Sequence, residues 1–225
     1  MRRSLFFIFI GLGGAAILLA LGVWQMQRLA WKQSVIADIE ARIAADPVAL
    51  PAIPDPERDA YLPVTISGTW GTGALRVLVS QKDVGPGYRI ISPLETDLGR
   101  ILVDRGFIPT ERELDIGSGN VSVRGNLQWP QETDGFTPAP DLDGNIWFAR
   151  DVPAMAAALD AKPILIVARQ IDGAATTIQP LPVDTARIPN DHLQYAITWF
   201  SLAALWLAMS LGFVLRSGRG NNTES

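Results

Sequence analysis

Two long uncharged runs, one near each end of the chain, constrain its fold more than any other feature. Leu5 to Val23 carries no charge over 19 residues, and Leu193 to Leu215 none over 23. At about 1.5 Å of rise per residue, helices of this length match the roughly 30 Å hydrocarbon core of a bilayer. Each run therefore predicts a transmembrane helix. The expected organisation is a tail at 1–4, a membrane helix at 5–24, and a helical extension with a proline-rich linker at 25–60. A β-rich domain follows at 61–188, then a second membrane segment at 189–215 and a tail at 216–225.

The first run exceeds the roughly 7–15 residues of a signal-peptide core and ends in Trp24-Gln25-Met26-Gln27-Arg28 instead of a small-x-small cleavage site, so a retained anchor is expected. Arg2 and Arg3 precede one run and Arg216 and Arg219 follow the other. Basic residues in short tails stay on the cytoplasmic side, which places both termini there and exports the segment between the helices. From Gln25 to His192 the chain holds 15 basic and 22 acidic residues. This negative balance excludes nucleic acid as an expected partner. With no cysteine there is no disulfide, thiolate metal site or Cys-x-x-Cys-His haem attachment. No Arg-rich, Ser-rich presequence stands before the first run, so a multi-pass protein of a bacterial inner membrane with a periplasmic domain is expected.

Gly11/Ala15 and Ala16/Ala20 form small-xxx-small pairs in the first helix, and Ala196, Ala203, Ala204, Ala208 and Ser210 offer counterparts in the second, predicting that the two pack together. Val35, Ile36, Ile39 and Ile43 continue at helical spacing, so the first helix is expected to reach about Ala45, before Asp46-Pro47. Five prolines between 47 and 63 then predict an irregular linker. Strand-like runs follow at 64–70, 75–81, 88–94, 100–107, 121–129, 146–149 and 164–171, separated by turn signals that include Gly85-Pro86-Gly87. Asp151 is the expected N-cap of a short helix reaching Leu159. The fold class is membrane α+β, with two transmembrane helices flanking a periplasmic, mainly antiparallel β domain, a meander or small barrel.

The only histidine, His192, stands where the second apolar run begins. An imidazole at the mouth of a membrane helix suits an axial ligand of haem iron, and Tyr195, Trp199 and Trp206 follow on roughly the same face as a surface for the macrocycle. The same position suits an interfacial residue hydrogen-bonded at the helix start, with the aromatic residues acting as membrane-belt and packing groups. Both readings stand on the residues alone. Arg28 and Lys32, one turn apart, offer positive charge to haem propionates or to lipid phosphates. Asp104-Arg105-Gly106 is read as a strand end at which Arg105 pairs with an acid of this chain or of a partner. Asp141-Leu142-Asp143-Gly144-Asn145 resembles the start of a calcium loop but lacks its closing Glu, and a turn is expected. No nucleophile elbow or phosphate loop is present, so the chain is not expected to be an enzyme.

Several stretches together resemble the Surfeit-locus (Surf/Shy) family of assembly factors for haem-copper cytochrome c oxidase. These are Leu21 to Arg28 with Trp31-Lys32, Gly87-Tyr88-Arg89 with Pro93-Leu94, Val103 to Pro109, and Asn190 to Trp199. Each is weak alone, but they come in the family's order and span nearly the whole chain. The resemblance implies a respiratory-chain assembly factor or chaperone that receives haem a, held stably or in passing, and helps to place it in oxidase subunit I. Haem a synthase is a further candidate partner. The family histidine falls on His192, and Tyr88, Arg89 and Arg105 match motifs of the soluble domain, where they are taken as partner-binding candidates. The alternative is a membrane scaffold that stabilises an oxidase intermediate without binding haem.

Overall fold

The computed structural model describes residues 2–219 apart from residues 83, 174, 175 and 187. Helix α1 runs unbroken over Arg2–Ala44 and ends just before Asp46-Pro47, where the missing proline N–H and its steric demand on residue 46 stop it. Then come β1 (Val48–Ala49), β2 (Pro63–Trp70), β3 (Leu75–Gln81), β4 (Gly85–Thr96), β5 (Gly99–Pro109), β6 (Asn120–Leu127) and β7 (Ile146–Trp147). The chain continues through α2 (Val152–Ala158), β8 (Lys162–Asp172) and α3 (His192–Arg219). Two compact units result, Met1–Asp38 with Ala186–Ser225, and Ile39–Thr185.

In the second unit the strands form one mixed sheet in the order β1-β2-β6-β8-β5-β4-β3-β7. Pairing of Thr69 with Glu95 and of Trp70 with Leu94 joins β2 to β4 as well. Five strands, β2, β6, β8, β5 and β4, thereby close into a ring, a small barrel and not a meander. Most pairs are antiparallel, but β1–β2, β3–β7 and β5–β8 run parallel. The parallel β5–β8 contact was not expected from the short turns. It arises because the long connection after β5 carries β6, β7 and α2 before β8 returns beside β5.

Alternation along the strands sorts the core into two clusters. Val64, Ile66, Leu94, Ile101, Val103, Val121, Val123, Ile166 and Ala168 come from all five ring strands and fill its interior. Leu102, Leu165 and Val167, on the opposite face of β5 and β8, pack with Leu75, Val77 and Ile91 beneath Val152, Met155 and Ala156 of α2 and its C-cap Leu159. Both faces of β5 and β8 are thus covered, which is why these strands read as continuous aliphatic runs. Asp151 caps α2, its carboxylate accepting from the Ala154 N–H at 3.1 Å.

Three expectations change. Val48 and Ala49, inside the expected linker, pair in parallel with Val64 and Thr65, because the flanking prolines at 47 and 51 leave a two-residue edge strand free to form. Gly85-Pro86-Gly87 is not a turn but the start of β4, opposite Gln81, Ser80 and Val79. Asp104-Arg105-Gly106 lies inside β5, not at its end. The Asp141 segment is a turn in which the Asp141 carboxylate accepts from the Gly144 N–H at 3.0 Å.

The C-terminal carbonyls of a helix lack intrahelical partners, and here side chains from the sheet supply them. The Ile43 carbonyl accepts from Arg169 Nη2 at 2.7 Å and from Asn126 Nδ2 at 3.3 Å. Arg169→Ala is expected to lower stability by about 1.5–3 kcal/mol through loss of this charge-assisted bond, read as a fall in the urea midpoint of the full-length protein.

Candidate functional site

In the first unit α1 and α3 pair along a seam of small residues. Gly11 meets Ser210, Gly14 meets the Trp206 indole and Gly22 meets the Phe200 ring. As the numbers rise on α1 they fall on α3, so the helices are antiparallel. A Cβ on Gly14 would overlap the Trp206 ring, so the close approach depends on glycine there. Ala15, Ala196 and Ala203 are buried in the seam, whereas Ala16, Ala20, Ala204 and Ala208 face outward. Of the two small-xxx-small pairs only Gly11/Ala15 is used. Within Ile8–Ala44 and His192–Arg216, stretches of 18 residues reach mean hydropathies of 2.0 and 1.8, and both helices are long and apolar enough to cross a membrane.

His192 is the first residue of α3, and its Nδ1 lies 2.8 Å from Oε1 of Gln25 on α1. Both side chains are half-buried. Gln25 continues the stripe of Gly11, Ala15 and Gly22 at three- and four-residue spacing, so the contact extends the helix seam into polar chemistry. Within the first turn the Tyr195 N–H bonds to the Asp191 carbonyl at 3.1 Å.

The other expected site residues divide by their distance along the helices. Tyr195 is exposed and Trp199 half-buried, one and two turns beyond His192 on the same face. Trp206 shares that face, but 14 residues of helix place it about 21 Å further along the axis. Its Nε1 donates to the Gly11 carbonyl at 3.0 Å. The structure therefore does not bring Trp206 beside His192; it belongs to helix packing. On α1, Arg28 and Lys32 lie three and seven residues past Gln25, on its face. The Arg28 guanidinium rests on the Trp31 ring at 3.9 Å, and Lys32 is half-buried.

In the β unit the soluble-domain candidates are turned inward. The Asp104 carboxylate, fully buried, accepts from Arg89 Nε at 2.6 Å, from Arg150 Nη1 at 3.4 Å and from the Gly106 N–H at 3.1 Å. Arg89 Nη2 also donates to the Leu181 carbonyl at 2.8 Å. Arg150 reaches outward to Glu132 at 2.5 Å and to Gln128 Oε1 at 3.0 Å. Burial lowers Arg150, but Glu132 and Asp104 outweigh it and raise the group above the ordinary guanidinium value. Tyr88 is half-buried beneath Arg76, 5.1 Å from its ring.

Arg105 departs furthest from expectation. It is 1% exposed, stacks on Trp70 at 4.2 Å and donates to the Ile116 carbonyl, while its Nε and Nη2 have no hydrogen-bond partner among the described residues. Burial pushes its guanidinium down to about 10, with Asp115 opposing. Its side chain is turned into the ring, not toward the surface where a strand-end ion pair was expected. The physical reason is strand parity, since position 105 shares the inward face of Ile101 and Val103.

Two membrane-length antiparallel helices joined to a closed β unit, with one imidazole at the head of the second helix, define the class of protein. The family model of the SURF1 family matches residues 12–204, and the chain belongs to that family. Surfeit locus protein 1 of Homo sapiens is 32% identical over 212 residues, covering 82% of this chain and 69% of the human protein. SURF1-like proteins of Drosophila melanogaster and Monosiga brevicollis are 31% and 32% identical over 213 and 228 residues. They cover 82% and 90% of this chain and 69% and 85% of their own.

Three residues that matter in these sites were not singled out from sequence: Gln25, Glu132 and Arg150. Gln25 sits in the Trp24-to-Arg28 stretch that carried the family resemblance, and an amide at the end of an apolar run was the available signal. Glu132 and Arg150 lie on a long connection whose return to β5 no local pattern announces.

Proposed function

We propose that the chain is a membrane assembly factor for haem-copper cytochrome c oxidase that receives haem a and helps to place it in subunit I. The observation that carries this reading is the lone histidine at the head of a membrane-length helix, in a chain of the SURF1 family. Haem is cargo here, and the residues present fit it at one pole. His192 would hold the iron through the ring nitrogen not engaged by Gln25. Tyr195 and Trp199 would supply aromatic surface within two turns, and Arg28 and Lys32 the positive charge for propionates. The bed for the ring is correspondingly short, because Trp206 stands too far along α3 to share it.

The placement follows from charge and length. Both helices cross a bacterial inner membrane, the arginine-bearing tails are cytoplasmic, and the β unit is periplasmic. The protein acts without catalysis, and oxidase subunit I is its partner, with haem a synthase as the donor of cargo.

The test is the visible spectrum and extracted haem of the full-length protein, purified in detergent from cells making haem a, beside its His192→Ala variant. Haem a is expected in the parent, with at least a tenfold loss in the variant. An empty parent that still co-purifies with subunit I would sink the haem reading in favour of a scaffold.

A further inference from the structure

Gln25 and His192 are 167 positions apart and belong to different helices, yet their side chains meet at 2.8 Å. The contact constrains the imidazole more than proximity alone. An amide oxygen can only accept a hydrogen bond, and a neutral imidazole carries one N–H and one lone pair. With Gln25 Oε1 facing Nδ1, a hydrogen bond there requires the proton on Nδ1 and leaves the lone pair on Nε2. We infer that Gln25 is the positioning residue of the haem site: it fixes His192 in the tautomer whose Nε2 can bind iron and fixes the plane in which that lone pair points.

The surroundings favour a built interaction. Gln25 sits on the α1 stripe that packs on α3, where an amide left without a partner is unfavourable, so side chain and ring hold each other. The family resemblance supplied a histidine; the bond that orients it comes from the geometry alone. Metal-bound histidines commonly donate their second ring N–H to a fixed acceptor, and removing that acceptor weakens metal affinity about 10–100-fold. The opposite amide orientation would present an NH2 donor to Nδ1, move the proton to Nε2 and close the ligand position. The inference rests on the haem-ligand reading, but its first test needs no haem.

Because His192 is the only histidine in the chain, a 15N-histidine-labelled sample gives one imidazole. The full-length protein would be prepared free of haem, in detergent and in alkaline buffer. Long-range nitrogen–proton correlation spectra are expected to show protonated Nδ1 in the parent and in Gln25→Glu, whose carboxylate also only accepts. Gln25→Leu, with no acceptor, is expected to shift toward the Nε2-protonated form that free histidine prefers. Haem a would then be titrated into all three, with binding about 10–100-fold weaker in Gln25→Leu and kept in Gln25→Glu.

A parent protonated on Nε2 overturns the inference, as does a Gln25→Leu variant that keeps both the Nδ1 proton and full haem affinity. Unchanged haem affinity in His192→Ala overturns the ligand reading itself, whatever the tautomer. The wrong tautomer in a parent whose His192→Ala variant has lost haem overturns the role of Gln25 alone.

Discussion

Replacing Asp104 by alanine is expected to destabilise the β unit by about 3–5 kcal/mol, the range for removing one partner of a buried ion pair. The carboxylate is fully buried and faces two guanidiniums, so its loss strands the charges of Arg89 and Arg150, whose side chains are only 12% and 11% exposed. It also removes the acceptor of the Gly106 N–H. Urea unfolding of the full-length protein followed by tryptophan fluorescence should show a lower midpoint with an unchanged slope. Arg150→Ala should cost less, because Arg89 still neutralises Asp104. A drop below 1 kcal/mol in Asp104→Ala would mean that water reaches the cluster and screens it.

The outer arm of the cluster should respond to acid. Burial pushes Glu132 up, but the hydrogen bond and charge of Arg150, its backbone N–H and the charge of Arg89 together hold the group below the usual glutamate value. A carboxylate depressed in the folded state contributes stability above its unfolded pKa and loses it as pH falls through the folded value. The Glu132–Arg150 link should therefore be intact at neutral pH and weaken below about pH 4. Since Glu132 is 39% exposed, solvent screens the pair and Glu132→Gln should cost about 1 kcal/mol or less.

Local pattern carried the elements of this chain further than it carried their arrangement. Strand β3 has the bounds its alternation predicts, and Asp151 caps α2 as its residue type suggests. Ring closure depends on β2 meeting β4 and on β5 meeting β8, contacts between strands far apart in sequence that no window of residues contains. A trace was present in the aliphatic runs of β5 and β8, since a strand apolar on both faces must be covered on both. Arg105 was misplaced although parity with Ile101 and Val103 already pointed it inward; a charged residue simply reads as exposed until a strand is known to be closed on itself.

The helix pair shows the same division. His192 was legible because it is unique and stands at a polarity boundary. Gln25 was not, because an amide near a membrane surface is ordinarily solvated by headgroups and its partner lies on another helix. Trp206 was grouped with His192 by angular phase, and axial rise separates them. Phase says which residues share a face, and rise says which can touch one ligand.

Gly106→Ala is the second large effect expected, at about 2–6 kcal/mol. Gly106 has a φ of +117°, where a Cβ is strained by about 1–3 kcal/mol. It also lies against the backbone of the segment crossing β5, where an added Cβ would fall inside the contact radius of the Gln179 carbonyl oxygen and crowd Pro180. That carbonyl accepts from the Phe107 N–H at 2.7 Å, and the Gln179 N–H returns a bond of 2.9 Å to the Phe107 carbonyl. Neither end is free to yield without breaking a pair, and overpacking of this kind costs about 1–3 kcal/mol. Gly119, with a φ of +103° and no described atom within 4 Å of the place a Cβ would take, separates the two contributions. Gly119→Ala should show the backbone strain alone, and the excess in Gly106→Ala measures the collision with Gln179. The displaced segment continues to Leu181, whose carbonyl holds Arg89, so the damage should spread into the ion cluster. The double variant with Asp104→Ala is therefore expected to lose less than the sum of the single losses, by 0.5 kcal/mol or more on the scale of coupled neighbours, about 0.5–3 kcal/mol. Strict additivity would mean that the 179–181 segment relaxes locally and that Arg89 keeps its place without it.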